Sequence, residues 1–275
     1  MADLLGEIVT WDTAGARPVS VGAVRSSLAS AGLPEDEAGD LAPRSIFSRA
    51  CKDLKKNRLI RKVEQAGSVV TFQLTTEELV SAKLEYAYEC RISLDTETGV
   101  ISCPEDQSLE AHTRSLFAAA SVERTSRDVT AIVQRLFTKH AELYPVNPRK
   151  GVAYFVPDKH SVFSAKVETF LRSMGGVLWR FPVPKGTTQG DMAVQDALKH
   201  GFEERLAELH EAIAGWDEHT RQGTMDKLSL KLDIAKLKID AYKDLLKDQM
   251  DALNALVEDG KKKVSEKLSA AGQAV

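Results

Sequence analysis

The last third of the chain contains no proline, and its apolar residues recur at helical spacing. No proline follows Pro184, so none interrupts a helix there. The spacing predicts one helix over about Met192–Ala214 and a second over about Thr224–Glu258, with glycines at the bend between them. We therefore expect region 187–275 to be a long helical hairpin or coiled coil, with a frayed tail over Gly260–Val275.

The second of these helices carries an oligomerisation surface in this interpretation. Its apolar residues alternate at spacings of four and three, the heptad pattern of a coiled coil. The predicted oligomerisation residues are Leu228, Leu232, Ile239, Tyr242, Leu246, Leu253 and Leu256. A second apolar stripe holds Leu230, Ile234, Leu237 and Leu245. Two apolar faces on one helix predict two neighbours, so we expect one face to pair within the chain and the other to join copies into a homo-oligomer. An intramolecular hairpin alone is the alternative.

A dense basic segment lies near the other end of the chain. The whole chain has a net charge of −3, yet residues 44–62 hold eight lysines and arginines against Asp53 alone. A local field of this kind attracts a polyanion even when the net charge is negative. The residues predicted to contact nucleic acid are Arg44, Ser45, Ser48, Arg49, Lys52, Lys55, Lys56, Arg58, Arg61 and Lys62.

Helices and a hairpin are predicted around this basic segment, in region 1–78. Leu4, Leu5, Ile8 and Val9 have helical spacing, and Ser20 is placed to cap a second helix. A third helix starts at Pro43 and continues to about Asn57. Two strands follow, Leu59–Val63 and Val69–Leu74, the second with a period of two.

Three helices followed by a hairpin resemble a winged helix-turn-helix domain. The resemblance rests on the stretch Arg-Ser-Ile-Phe-Ser-Arg-Ala-Cys-Lys-Asp-Leu at 44–54 and on Asn-Arg-Leu-Ile-Arg-Lys-Val at 57–63. It implies that the third helix enters the DNA major groove and that the hairpin is the wing. The acidic connection Pro34–Asp40 departs from the family, which has a tight turn there.

Residues 80–186 are predicted to form a central α+β unit. The expected elements are strands at Lys83–Ser93 and Val100–Cys103, a long helix at Leu109–Leu143 capped by Ser108, and a strand–helix–strand passage from Val152 to Val183. The fold class is therefore a predominantly helical α+β protein, with an N-terminal winged helix, this unit, and the C-terminal helices.

No motif indicates an enzyme, a metal or a cofactor. The six histidines lack metalloprotease or zinc-finger spacing, and the glycines lack a phosphate-cradling pattern. Asp158, Lys159 and His160, with Arg180 on a following strand, are the most enzyme-like group, and a helix cap explains them more simply. We expect a non-enzymatic protein without cofactor or metal.

Composition and cysteine content limit the cellular compartment expected for such a protein. No apolar run reaches the roughly 18 residues that a membrane span needs. Three cysteines are too few for a disulfide-stapled secreted scaffold, and the first residues lack the pattern of a secretion signal, so the cytoplasm is expected.

Two functions from different classes remain after these exclusions. The first is a nucleic-acid-binding protein, with DNA favoured over RNA, that self-associates through its C-terminal helices. The second is a structural or adaptor protein that forms a homomeric assembly or docks a partner complex, and uses the winged helix for protein contacts.

Overall fold

The chain forms two compact units, where the sequence predicted three regions. The computed structural model describes residues 3–54, 58–80, 83–147, 153–216 and 222–273. The first unit comprises Met1–Asp12, Val133–Arg172 and Gly176–Val275, and the second comprises Thr13–Ile132 and Ser173–Gly175. The amino-terminal strand therefore belongs with the carboxyl-terminal helices and not with the basic segment.

Both units combine helices with antiparallel strands, so the predicted α+β class with a predominance of helix is confirmed. Within the described residues the strands are, in chain order, β1 (Leu4–Asp12), β2 (Val19–Ser20), β3 (Arg58–Ala66), β4 (Val69–Val80), β5 (Lys83–Asp95), β6 (Ile101–Ser102), β7 (Glu123–Arg124), β8 (Tyr144–Pro145), β9 (Tyr154–Pro157) and β10 (Val177–Pro184). The helices of the same part of the chain are α1 (Val21–Ser30), α2 (Pro43–Asp53), α3 (Gln107–Val122), α4 (Ser126–His140), α5 (Ser161–Ser173), α6 (Thr188–Ala214), α7 (Gln222–Ala241), α8 (Lys243–Leu246) and α9 (Met250–Gln273).

The first unit packs its carboxyl-terminal helices against a small antiparallel sheet with the strand order β10-β1-β9-β8. Its core joins Phe155 of β9 to Phe202 of α6, Leu232 of α7 and Leu253 of α9, all of them buried. None of the helices in the described residues is both long and apolar enough to cross a membrane.

The helix predicted at Leu4–Val9 is wrong, because these residues lie in the strand β1. β1 pairs with β10 on one side and with β9 on the other, as in the register Ile8↔Phe181 and Ile8↔Phe155. Spacing alone placed Leu4, Leu5, Ile8 and Val9 on one helical face. Pairing with strands about 150 and 170 residues away decides the conformation instead, a tertiary effect that overrides local pattern.

The second unit is built on an antiparallel meander with the strand order β3-β4-β5-β6. Phe47 of α2, Leu109 of α3, and Leu74 and Ile92 of the sheet share its core. The predicted hairpin is confirmed, with Ile60 opposite Leu74, and both strands extend further than expected. Ser20 caps α1 as predicted, because its Oγ accepts a hydrogen bond of 3.1 Å from the Ala23 amide.

The long helix predicted at Leu109–Leu143 is wrong, because the chain forms α3 and α4 with the short strand β7 between them. β7 pairs with β2, and Val19 lies opposite Arg124. The buried Arg124 guanidinium donates to the carbonyl oxygens of Ser121, Glu123 and Gly39, which fixes the chain in this break. The cap of α3 is Asp106, which accepts from the Leu109 amide at 2.9 Å, and not Ser108.

The helix predicted at Thr224–Glu258 is also interrupted. α7 ends at Ala241, and the chain turns at Lys247, whose φ of 42° is left-handed. α9 returns antiparallel to α7, as two ion pairs show, Lys236–Glu258 at 2.8 Å and Asp233–Lys261 at 2.6 Å. α9 is helical to Gln273, so it takes in most of the tail, Gly260–Val275, that was predicted to fray.

Candidate nucleic-acid interface

Helix α2 exposes the polar half of the basic segment because its apolar half covers the sheet. Pro43 starts the helix, as its fixed φ favours. The inner face of the helix is buried and consists of Ile46, Phe47, Ala50 and Cys51. The opposite face, at the 3.6-residue repeat, presents the exposed residues Arg44, Ser45 and Lys52. The helix ends at Asp53 and not near Asn57.

The exposed face of α2 forms one wall of a groove of about 830 Å³. From α2 it is lined by Arg44, Ser45, Ser48, Arg49, Lys52 and Asp53, and from α3, β7 and the start of α4 by Leu116, Ala119, Ala120, Glu123, Thr125 and Arg127. We call this feature the α2 groove. The small side chains of Ala119 and Ala120 leave the space that the longer residues of α2 border.

Three cations of the α2 groove are open to an external anion. Arg44, Lys52 and Arg127 are exposed. No ion pair joins them to another residue within the described ranges. Asp53 and Glu123 are the acidic residues of the lining. The balance at the groove is therefore positive, as the sequence predicted for this segment.

Arg49 is different, because it is held by a buried carboxylate. Its guanidinium donates to both oxygens of Asp128, at 2.7 and 2.5 Å, and the Asp128 side chain is only 9% exposed. The Thr125 amide and hydroxyl also donate to Asp128. Burial opposes ionisation, but the bonds from Arg49 and Thr125 outweigh it, and the pKa of Asp128 is lowered. The hydrogen bond to Asp128 in turn raises the pKa of Arg49.

The predicted contact residues on the hairpin also include one held by a carboxylate and two that are exposed. Arg58 donates to both oxygens of Glu89, with distances down to 2.5 Å, and this hydrogen bonding raises its pKa. Arg61 and Lys62 are exposed on β3, and Lys62 donates to the side chain of Gln65 at 2.5 Å. Lys55 and Lys56 lie outside the described residues.

The acidic connection before α2 is anchored in part by α1. It forms a short 3₁₀ turn, Glu35–Ala38, in which Glu37 is buried. Asp40, which follows the turn, pairs with Arg25 of α1 at 3.3 Å. The Asp40 carboxylate is thus directed to α1.

The predicted oligomerisation residues lie mostly inside the first unit. Five of the seven are buried within their own chain, namely Leu228, Leu232, Ile239, Leu246 and Leu253. Tyr242 is half-buried and Leu256 is 39% exposed. The second stripe differs, because Leu230, Ile234 and Leu237 are exposed by 58%, 43% and 69%, whereas Leu245 is half-buried. Pairing between chains stays a prediction, and the second stripe is the face open to it.

The enzyme-like stretch is divided between separate ion pairs. Asp158, Lys159 and His160 form a 3₁₀ turn between β9 and α5. Arg180 pairs with Glu7 at 2.8 Å and with Glu168 at 3.4 Å. Lys159 instead contacts Glu142 at 3.1 Å. Across the described residues, no group of three or more His, Cys, Asp or Glu side chains is arranged to hold a metal ion.

Sequence reasoning missed the polar cluster around Glu142 in the first unit. The Tyr242 hydroxyl donates to the buried Glu142 carboxylate, and Lys159 and Lys238 lie 3.1 and 3.3 Å from it. Burial opposes ionisation, but the tyrosine and the two lysines outweigh it, so the pKa of Glu142 is lowered. Burial lowers the pKa of the adjacent His160. The cluster joins three distant segments, and no local motif signals it.

Comparison with known proteins identifies a family but not an activity. A family model described as "Family of unknown function (DUF6744)" matches residues 4–273. No curated protein and no solved structure matches the chain. The match covers both units and nearly the whole sequence, so the chain belongs to the DUF6744 family.

Proposed function

We propose that this protein binds nucleic acid, DNA in preference to RNA, through the α2 groove and the neighbouring β3–β4 hairpin. The observation that carries the proposal is the separation of roles among the cations. Arg49 and Arg58 are fixed by carboxylates, while Arg44, Lys52 and Arg127 are exposed on one groove without an ion pair in the described residues. Arg49 ties α2 to Asp128 and Arg58 ties β3 to β5, and the exposed cations are left for phosphate oxygens.

The winged-helix interpretation belongs to the same proposal. It is supported by the order of α1, α2 and the β3–β4 hairpin, although that hairpin continues into the four-stranded meander with β5 and β6. The strand at Leu4–Asp12 removes the expected first helix, and α3 borders the exposed face of α2. We therefore assign the groove to phosphate contacts, with Ser45 and Ser48 as the polar side chains beside them. Exposed Arg61 and Lys62 extend the cationic surface along the hairpin.

A fluorescent DNA duplex, measured by anisotropy at two salt concentrations, tests this proposal. Three phosphate contacts predict an affinity that falls about 40-fold between about 50 and about 200 mM salt. The triple variant Arg44→Glu, Lys52→Glu, Arg127→Glu is expected to bind at least about 100-fold more weakly. Arg17→Glu makes the same change at an exposed site of the same unit and should cost less than about threefold. Unchanged affinity of the triple variant would overturn the proposal.

A second candidate function, homomeric assembly, is favoured by a separate observation. The exposed stripe of Leu230, Ile234 and Leu237 lies on α7, whose opposite face is buried through Leu228, Leu232, Ala235 and Ile239. Large exposed apolar surfaces commonly mark interaction sites. We propose that this stripe supports self-association, either alone, in a structural or adaptor protein, or together with nucleic-acid binding. Light scattering at micromolar protein concentration, with and without a short duplex, separates the two, because it reports assembly and nucleic-acid uptake in one measurement.

A further inference from the structure

Helix α7 has two apolar faces, and only one of them is used inside the chain. Leu232 and Ile239 are fully buried against the core of the first unit. On the other face Leu230, Ile234 and Leu237 repeat at spacings of four and three, and all are exposed. That spacing keeps three side chains in one line along the helix, the arrangement of a helix–helix seam. We call this line the α7 stripe.

The two flanks of the α7 stripe carry opposite charges. A helix turns about 100° per residue. This places three lysines on one flank and three aspartates on the other, namely Lys227, Lys231 and Lys238 against Asp226, Asp233 and Asp240. Lys238 already pairs within the chain with Glu142, and Asp233 pairs with Lys261. Lys227 and Lys231 are exposed, and within the described residues neither joins an ion pair.

This charge pattern selects a partner and an orientation. Around a two-fold axis parallel to the helix, the lysine flank of one copy faces the aspartate flank of the other along both sides of the seam. Around an axis perpendicular to the helix, lysines face lysines and aspartates face aspartates. Opposite charges across a seam favour one orientation, and like charges exclude the other.

We propose that the α7 stripe is the contact for a second copy of this chain, with the two α7 helices parallel and in register. The inference rests on the assembly proposal and adds the surface, the partner and the orientation. It does not depend on nucleic-acid binding. A stable interface of ordinary size buries about 1,200–2,000 Å². Three side chains with their flanks supply less, so the dimer is weak, in the micromolar range or above, and reversible.

Sedimentation of the full chain over a range of concentrations tests the surface. The wild-type protein is expected to pass from monomer to dimer as concentration rises. Leu237→Lys should weaken dimerisation at least about tenfold, because it places like charges opposite each other within the apolar seam. Val162→Lys is the matched control, because Val162 is also an exposed aliphatic residue of the first unit but lies on α5. It should leave dimerisation unchanged, with thermal unfolding confirming that both variants are folded.

Reversing the charge of one flank tests the orientation. In a parallel dimer, Lys227→Glu with Lys231→Glu sets acidic flanks against each other and should weaken dimerisation about tenfold. Adding Asp226→Lys and Asp240→Lys to that variant restores opposite flanks and should restore dimerisation. In an antiparallel pair the first step would relieve repulsion between facing lysines, so it would not weaken dimerisation.

The outcomes separate this inference from the proposal beneath it. A wild-type chain that stays monomeric at all concentrations contradicts both. Dimers that survive Leu237→Lys, or that Val162→Lys dissociates, keep self-association and overturn the α7 stripe as its surface. Dimers that depend on Leu237 but are not weakened by flank reversal overturn the parallel arrangement alone.

Discussion

Helices α2 and α7 are both amphipathic and rich in cations, yet they present different surfaces. On α2 the exposed cations have Asp53 as their single acidic neighbour on the helix, so their fields add. On α7 the lysines of one flank are matched by aspartates on the other, so the charges cancel and an apolar line remains between them. Under the two proposals, the arrangement of charge around a helix, more than its amount, determines which partner the helix fits. An uncancelled face suits a polyanion, and a divided face suits another copy of the same helix.

Each of these helices is also anchored by one buried carboxylate. Asp128 binds Arg49 of α2 through two short hydrogen bonds. Glu142 binds Lys238 of α7 and Tyr242 directly after it. Asp128 thus accepts hydrogen bonds from one guanidinium and from Thr125 at the start of its own helix. Glu142 instead contacts one hydroxyl and two ammonium groups. The α2 anchor should therefore be the more sensitive to loss of a single group.

Truncating a buried side chain of either helix should destabilise the unit that holds it. Phe47 on the inner face of α2 and Leu232 on the inner face of α7 are both fully buried. Phe47→Ala should lower the free energy of unfolding by about 3–5 kcal/mol and Leu232→Ala by about 2–5 kcal/mol, from lost burial and the cavity left behind. Urea unfolding followed by circular dichroism measures both. A loss below 1 kcal/mol at either position would show that the helix does not depend on its core as described.

Removing the α2 anchor is the next largest effect. Asp128→Ala leaves the Arg49 guanidinium and the first turn of α4 without their acceptor. The expected loss of unfolding free energy is about 2–3 kcal/mol, measured by the same urea unfolding. Asp128→Asn keeps an acceptor for Thr125 and should cost less. Equal losses for the two variants would show that the hydrogen bonds from Thr125 contribute little beside the charge on Asp128.

The α7 anchor should tolerate loss of one member. Tyr242→Phe removes a hydroxyl that donates to Glu142, but Lys159 and Lys238 still neutralise the carboxylate. We expect a loss of about 1 kcal/mol in thermal or urea unfolding. Tyr88→Phe is the matched control, because its hydroxyl donates to Glu105 on an exposed surface and should give no measurable change. A loss as large as that of Asp128→Ala would refute the contrast between the two anchors.

Acid should weaken both anchors over the same range of pH. The pKa values of Asp128 and Glu142 are both lowered in the folded protein. A lowered pKa contributes stability that is fully present above the unfolded values, about 3.9 for Asp and 4.3 for Glu, and lost as pH falls through the folded value. Unfolding free energy should therefore decline below about pH 4. Asp128→Asn and Glu142→Gln should each flatten this decline, and an unchanged slope would contradict the assignment.

The parts that the sequence predicted are those decided locally. Pro43 and the apolar repeat of Ile46, Phe47 and Ala50 predicted α2 and its buried face, and Ser20 predicted the cap of α1. Period-two alternation predicted the β3–β4 hairpin. In each case the residues that determine the element lie within one or two turns of it.

The parts that the sequence did not predict depend on distant partners. β1 is a strand because β9 and β10 lie on either side of it. The break between α3 and α4 depends on Arg124 reaching the Gly39 carbonyl, 85 residues away. Asp128 and Glu142 are ordinary polar positions in a helical pattern until Arg49 or Tyr242 is brought to them. Cations can be found by reading the chain, but which of them are already neutralised is a property of the folded molecule.

Gly201 is a helix position at which glycine is needed and alanine would be destabilising. It lies inside α6, where alanine normally stabilises by about 0.5–1 kcal/mol. A methyl group there would meet a ring carbon of Tyr144 at 2.7 Å. Tyr144 is itself enclosed by the rings of Phe202 and Tyr242 and by Arg205. The missing side chain is thus what lets an aromatic ring lie flush against the helix backbone. Enlarging Gly201 by one carbon would push apart the strand and the helix that this ring joins.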